Sequence, residues 1–134
     1  MFESYQKIMN QHNKLPLRQE RKLIHLAQRG VVEAQNKLLR HLIGFFVIRV
    51  RTTAFPSFSL LYGEDIIQDC VIMAAEKIKT YNLEYKNKYG ELQPLHFSTY
   101  IWKSVTGLIY SYRKRMRGFY FSDISNTVNN NLKS

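Results

Sequence analysis

A chain of 134 residues is long enough to bury one ordinary core and short enough to be one domain. Its 45% hydrophobic content excludes a disordered chain, and 20 Lys and Arg against 10 Asp and Glu give a formal charge of +10. That excess favours polyanionic partners, nucleic acid first and an anionic membrane surface second. The single cysteine, Cys70, has no partner for an internal disulfide and no cluster of zinc ligands around it; it reads as a reduced core thiol in a cytosolic protein. Met1 to Asn13 is polar and lacks the apolar centre of a signal peptide, and no stretch approaches the length of a membrane span.

The pattern is helical throughout, so the expected fold is all-α: a compact helical bundle of about four or five helices. Residues 1–14 read as a polar segment, 15–121 as the helical domain and 122–134 as a disordered, Asn-rich tail. The three prolines, Pro16, Pro56 and Pro94, each stand at the edge of a periodic segment. Leu17 to Arg29 is the first predicted helix, with Leu17, Leu23, Ile24 and Ala27 on one side and Arg18, Arg21, Lys22 and Arg29 on the other. Gly30 is a stop, and the helix restarts over Val31 to Arg51 with Ala34, Leu38, Leu42, Phe45, Phe46 and Ile48 at helical spacing. Thr52 to Gly63 reads as a connector, on Pro56, Ser57, Ser59 and Gly63.

Glu64 to Tyr81 is the clearest amphipathic helix. Ile67, Cys70, Val71, Ala74 and Ile78 form its buried stripe, and Asp65, Gln68, Asp69, Ile72 and Glu76 its other face. Asn82 to His96 is a second connector. The last helix is capped by Ser98 or Thr99 and runs to about Arg117. Ile101, Val105, Leu108, Ile109, Tyr112 and Met116 are expected to be buried. Thr99, Lys103, Thr106, Tyr110, Arg113 and Arg117 are expected on the far side.

Charge is unevenly placed. No acidic residue lies between Glu91 and Asp123, where Lys103, Arg113, Lys114, Arg115 and Arg117 are interleaved with Tyr100, Trp102, Tyr110 and Tyr112. Lys and Arg neutralise phosphates and aromatic rings stack on exposed bases, so the pattern points to nucleic acid; a solvated basic helix end over core aromatics explains it equally well. Glu64 to Glu76 instead holds four acids and no base. An acidic face in a basic protein suits a basic protein surface, and Ile72, ringed by charge, suits the centre of such a contact; an ordinary solvated helix is the commoner case for any single charged face.

Three segments, in order, resemble the bacterial sigma factors, and together they cover most of the chain. Leu15 to Thr52 looks like the family's first conserved helices. "EDIIQDCVIMAAEKIKTYN", Glu64 to Asn82, is similar to its Asp-Leu-Ile-Gln-Glu helix. "FSTYIWKSVTGLIYSYRKRMR", Phe97 to Arg117, carries the family's Phe-Ser-Thr-Tyr signature intact, and its later half looks more like the compact extracytoplasmic-function members. The resemblance implies the helical fold of the family's second conserved region. It implies that Asp65, Gln68 and Asp69, with Ile72 and Glu76 on the same face, dock on the beta-prime coiled coil of core RNA polymerase. It also implies that Phe97, Thr99 and Tyr100 hold the non-template strand of the promoter minus-ten element, with one adenine flipped against the tyrosine. The charge pattern adds Lys103, Tyr110, Arg113, Lys114 and Arg117 as expected DNA contacts; Lys86 and Lys88, with Tyr85, Asn87 and Tyr89, belong either to a loop that in compact members cradles a flipped base or to a surface loop whose tyrosines serve packing.

The sequence departs from the family in four places. Val71 stands where a contacting Asn is usual. Lys103 and Ser104 occupy the places of the usual tandem Trp, with Trp102 one position early. The connector from Tyr81 to Phe97 is longer than the family's turn. Nothing after Arg117 resembles the helix-turn-helix domain that reads the minus-thirty-five element. The resemblance then implies a single-domain factor, one half of a split factor, or a fragment. A single-domain bacteriophage factor working with a separate co-activator is the favoured origin.

The reading is of a cytoplasmic, non-enzymatic DNA-binding protein with no cofactor, no metal and no membrane partner. His12, His25, His41 and His96 show no metal-ligand spacing, the glycines form no phosphate loop, and Asp65 and Asp69 pair only on an exposed face. Two other readings remain open: a polymerase-binding regulator without promoter recognition, and a basic protein that binds nucleic acid without sequence preference.

Overall fold

The computed structural model describes the backbone of residues 3–53, 56–92 and 95–133, and the side chains of 5–53, 60–92 and 95–115. Five helices follow in chain order: α1 (Glu3–Gln11), α2 (Leu17–Gln28), α3 (Val32–Thr53), α4 (Pro56–Thr80) and α5 (Phe97–Lys133). Among the described residues there is no strand, only an isolated bridge between Lys86 and Leu92. The fold is all-helical, as the periodicity predicts.

α3 is the central helix and packs against each of the other four. Two adjoining rows explain this. Ala34, Leu38, Leu42 and Phe46 make one, and Leu39, Ile43, Val47 and Val50 the other; all eight are buried. A stripe that wide belongs to a helix covered on several sides. Ile48, expected on the apolar stripe, is 55% exposed because it falls on the opposite side of the helix from the centre of those rows.

α2 ends as its sequence predicts. Gly30 takes φ +93°, its N–H donates to the carbonyl of Ala27 (3.0 Å), and the N–H of Val31 donates to Leu26 (3.0 Å). This closing pair needs a left-handed residue, which glycine supplies without a Cβ penalty. α4 and α5 pack on one another through fully buried Ile67, Cys70, Ala74, Val105 and Ile109, with Val71, Leu108 and Tyr112 half-buried at the margin.

Three boundaries are corrected. The segment read as polar contains α1, whose Tyr5, Ile8 and Met9 lie at i, i+3 and i+4 and pack on the core. The connector expected over Thr52 to Gly63 is largely helix. α3 reaches Thr53 and α4 begins at Pro56, where proline's missing N–H costs nothing; Gly63 is buried inside α4. The last helix does not stop near Arg117. α5 continues to Lys133, since a lone interior glycine such as Gly118 costs a helix only about 1 kcal/mol. Met116, Arg117 and the tail expected at 122–134 have side chains outside the described residues, although the α5 backbone passes through them.

Candidate nucleic-acid interface

The loop between α4 and α5 is held from below by polar side chains of α2. Gln28 Nε2 donates to the carbonyls of Ile78 (3.0 Å) and Tyr81 (2.7 Å), closing the end of α4. The Arg21 guanidinium donates to the carbonyl of Leu83 (2.5 Å). Glu20 is the one buried charged side chain among the described residues. One of its carboxylate oxygens accepts the backbone N–H of Phe97, and the other lies 3.3 Å from Nδ1 of His96. Buried carboxylates persist only with such partners, and here they are the open first turn of α5 and an imidazole.

The loop is also tied internally. Tyr81 donates its hydroxyl to the carbonyl of Leu95 (2.6 Å), and burial pushes its phenol above the ordinary tyrosine value. Asn87 Oδ1 accepts the N–H groups of Tyr89 (2.9 Å) and Glu91 (3.1 Å), and Gly90 turns the chain at φ +78°. Lys86, Lys88, Tyr85 and Tyr89 are exposed on this loop, with the Lys88 ammonium 5.1 Å from the Tyr89 ring centre.

α5 presents the expected residues in two different ways. Phe97 is wholly buried and is a core residue, so it offers no surface to DNA; its ring supports Tyr100 at 5.9 Å. Tyr81 meets the rings of both, edge to face, at 5.6 Å from Phe97 and 5.0 Å from Tyr100. Tyr100 is 41% exposed on this base. Thr99, Lys103, Tyr110 and Lys114 are exposed along the same helix, and Arg113 is half-exposed with its guanidinium 5.5 Å from the Tyr110 ring. These residues recur on one broad face because their spacings approximate whole helical turns. Arg117 lies outside the described side chains.

Arg49 is a residue that sequence reasoning passed over. Its guanidinium carbon lies over the Trp102 ring, 3.7 Å from the centre, and the group donates to Thr106 Oγ1 (2.6 Å). Phe45 abuts the same indole at 5.9 Å. Trp102 is thus fixed at the flank of the α5 face, half covered and half open to solvent. The signal in sequence, one arginine inside an apolar helix, names no partner.

The acidic face is on α4. Asp65, Gln68, Ile72 and Glu76 are exposed, Ile72 by 64%. Leu60 and Leu61, about one turn before Asp65 and three turns before Ile72, are exposed too. They went unnoticed because that segment reads as a connector. Asp69 does not belong to the open surface. It is half-buried and accepts the Tyr112 hydroxyl, which pushes the Tyr112 phenol up to about 12.

Among the described residues, no three His, Cys, Asp or Glu side chains converge to hold a metal ion. No helix of the described residues is long and apolar enough to cross a membrane. Comparison with protein-family models, curated proteins and solved structures gave no match.

Proposed function

We propose that the chain is a sigma-factor-like transcription initiation protein that binds core RNA polymerase and recognises and melts the promoter minus-ten element. The observation that carries this reading is the outer face of α5. There Tyr100, Lys103, Tyr110 and Lys114 are exposed together in a stretch of sequence that contains no acid. Aromatic faces replace the stacking a base loses when it leaves the duplex, and the ammonium groups neutralise phosphates on either side. Because such contacts form only with unpaired DNA, they shift the equilibrium toward the melted state. The separate face of α4, with Asp65, Gln68, Ile72 and Glu76, suits a basic protein surface, the partner being the beta-prime coiled coil. The polymerase supplies the chemistry, and the chain itself acts as no enzyme.

The test is permanganate footprinting of promoter DNA with purified core polymerase. Thymines of the minus-ten element should become reactive only when the chain is added, and unchanged reactivity overturns the reading. A second reading, a polymerase-binding regulator without promoter recognition, is favoured by Lys103 and Ser104 standing where the family has its tandem Trp. That reading predicts core binding without run-off transcription.

A further inference from the structure

Behind the α5 face, the linker between α1 and α2, the middle of α3 and Ser98 of α5 enclose a cleft of about 330 Å³. That volume lies within the range of small-molecule sites. Its apolar wall comes from Met9, Leu42 and Phe45, and its mouth from His12, Lys14 and His41. The linker is fastened there. His41 Nδ1 bonds the carbonyl of Asn13, and the His12 ring meets His41 edge to face with centres 4.9 Å apart.

Lys14 supplies the fixed positive charge of the mouth. Partial desolvation and then His41, Arg40 and Lys37 of α3 hold the His12 imidazole below its ordinary value, so positive charge converges on this point. The carboxylate that reaches the cleft, Glu20, is already engaged by Phe97 and His96. Gly44 lines the same cleft. A Cβ there would meet only the methyl of Met9, at 4.0 Å, an ordinary contact. Neighbouring atoms therefore do not forbid alanine, which a helix interior prefers, and the glycine leaves the cleft open beside Met9.

We propose that this cleft binds a small organic anion, its phosphate or carboxylate head at His12, Lys14 and His41 and its apolar or aromatic body against Met9, Leu42 and Phe45. An anion at the mouth favours the protonated form of His12, so binding raises the His12 imidazole from its depressed value. An apolar wall beside Lys14 and two imidazoles fits this ligand better than a bare ion, which would leave the wall in contact with water.

The test follows the His12 and His41 imidazole resonances of the full chain by NMR during titration with adenosine monophosphate, decanoate and inorganic phosphate. Saturable shifts at both rings with a raised His12 titration midpoint are expected from one of the two organic anions. Nucleotide and acyl ligands are told apart by which one acts. Its affinity should exceed that of inorganic phosphate by roughly tenfold or more, because only it buries an apolar body. Lys14→Glu, on the exposed linker, should weaken binding about tenfold by reversing the charge at the mouth. Gly44→Leu should fill the cleft and abolish binding with the helical circular dichroism retained. The proposal is overturned if neither organic anion gives saturable shifts, if inorganic phosphate binds as tightly as both, or if Lys14→Glu binds like the parent chain.

Discussion

Glu20 and Phe97 stand 77 residues apart in sequence, yet the carboxylate of the first caps the helix that begins at the second. Helix α5 carries the exposed aromatic and basic residues, so its first turn is set by a side chain of α2. Two consequences follow for substitution. Glu20→Ala removes a cap and leaves the Phe97 N–H buried without a partner, which should cost about 1–3 kcal/mol. Glu20→Gln keeps an acceptor for Phe97 but loses the charge facing His96, and should cost less. Urea unfolding of both variants checks the order. Equal losses would mean that the His96 contact outweighs the cap.

Asp69 and Asp65 look alike in sequence and should behave differently. Asp69→Lys breaks the bond to the Tyr112 hydroxyl and should destabilise the fold by roughly 1–3 kcal/mol. Asp65→Lys and Ile72→Asp change exposed residues and should leave stability within about 0.5 kcal/mol. If the polymerase reading holds, the exposed pair should nevertheless weaken pull-down of core polymerase. Thermal melts beside pull-downs separate a folding defect from a lost contact.

The same bond sets an alkaline limit. The Tyr112 phenol is pushed from 10.0 up to about 12, first by its hydrogen bond to Asp69 and then by burial. The folded chain therefore holds this proton more tightly than the unfolded chain does. The associated stability is fully present below pH 10 and is lost as pH rises from 10.0 toward 12. Tyr112→Phe should flatten the part of that decline due to this group. Denaturant midpoints of the two proteins across this range provide the measurement; the Cys70 thiol, which burial pushes up to about 12, and the raised phenols of Tyr5 and Tyr81 contribute to the decline that remains.

Neighbouring aromatics at the start of α5 should also part ways. Phe97→Ala empties a fully buried site and should cost about 3–5 kcal/mol of stability. Tyr100→Ala removes a partly exposed ring and should mainly cost single-strand binding, by roughly 1–3 kcal/mol, with the salt slope unchanged. Lys103→Ala, Lys114→Ala or Arg113→Ala should instead weaken binding to every sequence and lower the salt slope by about one. Salt titrations of a fluorescent single strand distinguish the two patterns. Unchanged binding by Tyr100→Ala would make Tyr100 a packing residue.

Much of this arrangement was legible in the sequence because helical periodicity reports burial. Ile67, Cys70, Ala74, Val105 and Ile109 announce the α4–α5 contact by spacing alone. α1 is hard to read in sequence because Tyr5, Ile8 and Met9 make less than two turns of pattern in a polar stretch. The start of α4 was missed because Pro56 and Gly63 resemble loop residues when their neighbours in space are unknown. Glu20 reads as one more charge on a solvated helix, and only its distance from the first turn of α5 reveals it as a cap. Phe97 and Asp69 show the converse limit. The Phe-Ser-Thr-Tyr and acidic motifs identify positions, but burial decides which side chain of each motif is left to meet a partner.

Trp102 provides a reporter that needs no label. It is the sole tryptophan, half-exposed, with the Arg49 guanidinium over one face and the Phe45 ring tilted beside it. A cation held this close to an indole is worth about 0.5–1 kcal/mol at an exposed site and more where partly desolvated. Arg49→Ala should therefore cost stability in that range, leave the Thr106 hydroxyl only its bond to the Trp102 carbonyl and shift the emission of Trp102 to longer wavelength as water reaches the ring. Arg49→Lys keeps the charge but loses the planar guanidinium over the indole and its aimed hydrogen bond, and should resemble Ala more than the parent chain. If nucleic acid lies on the α5 face, single-stranded DNA should quench Trp102 in the parent chain in a saturable manner. Quenching by single strands that duplex does not reproduce fits melted DNA on α5. Emission unmoved by either nucleic acid would place the binding face away from Trp102, on another side of the bundle.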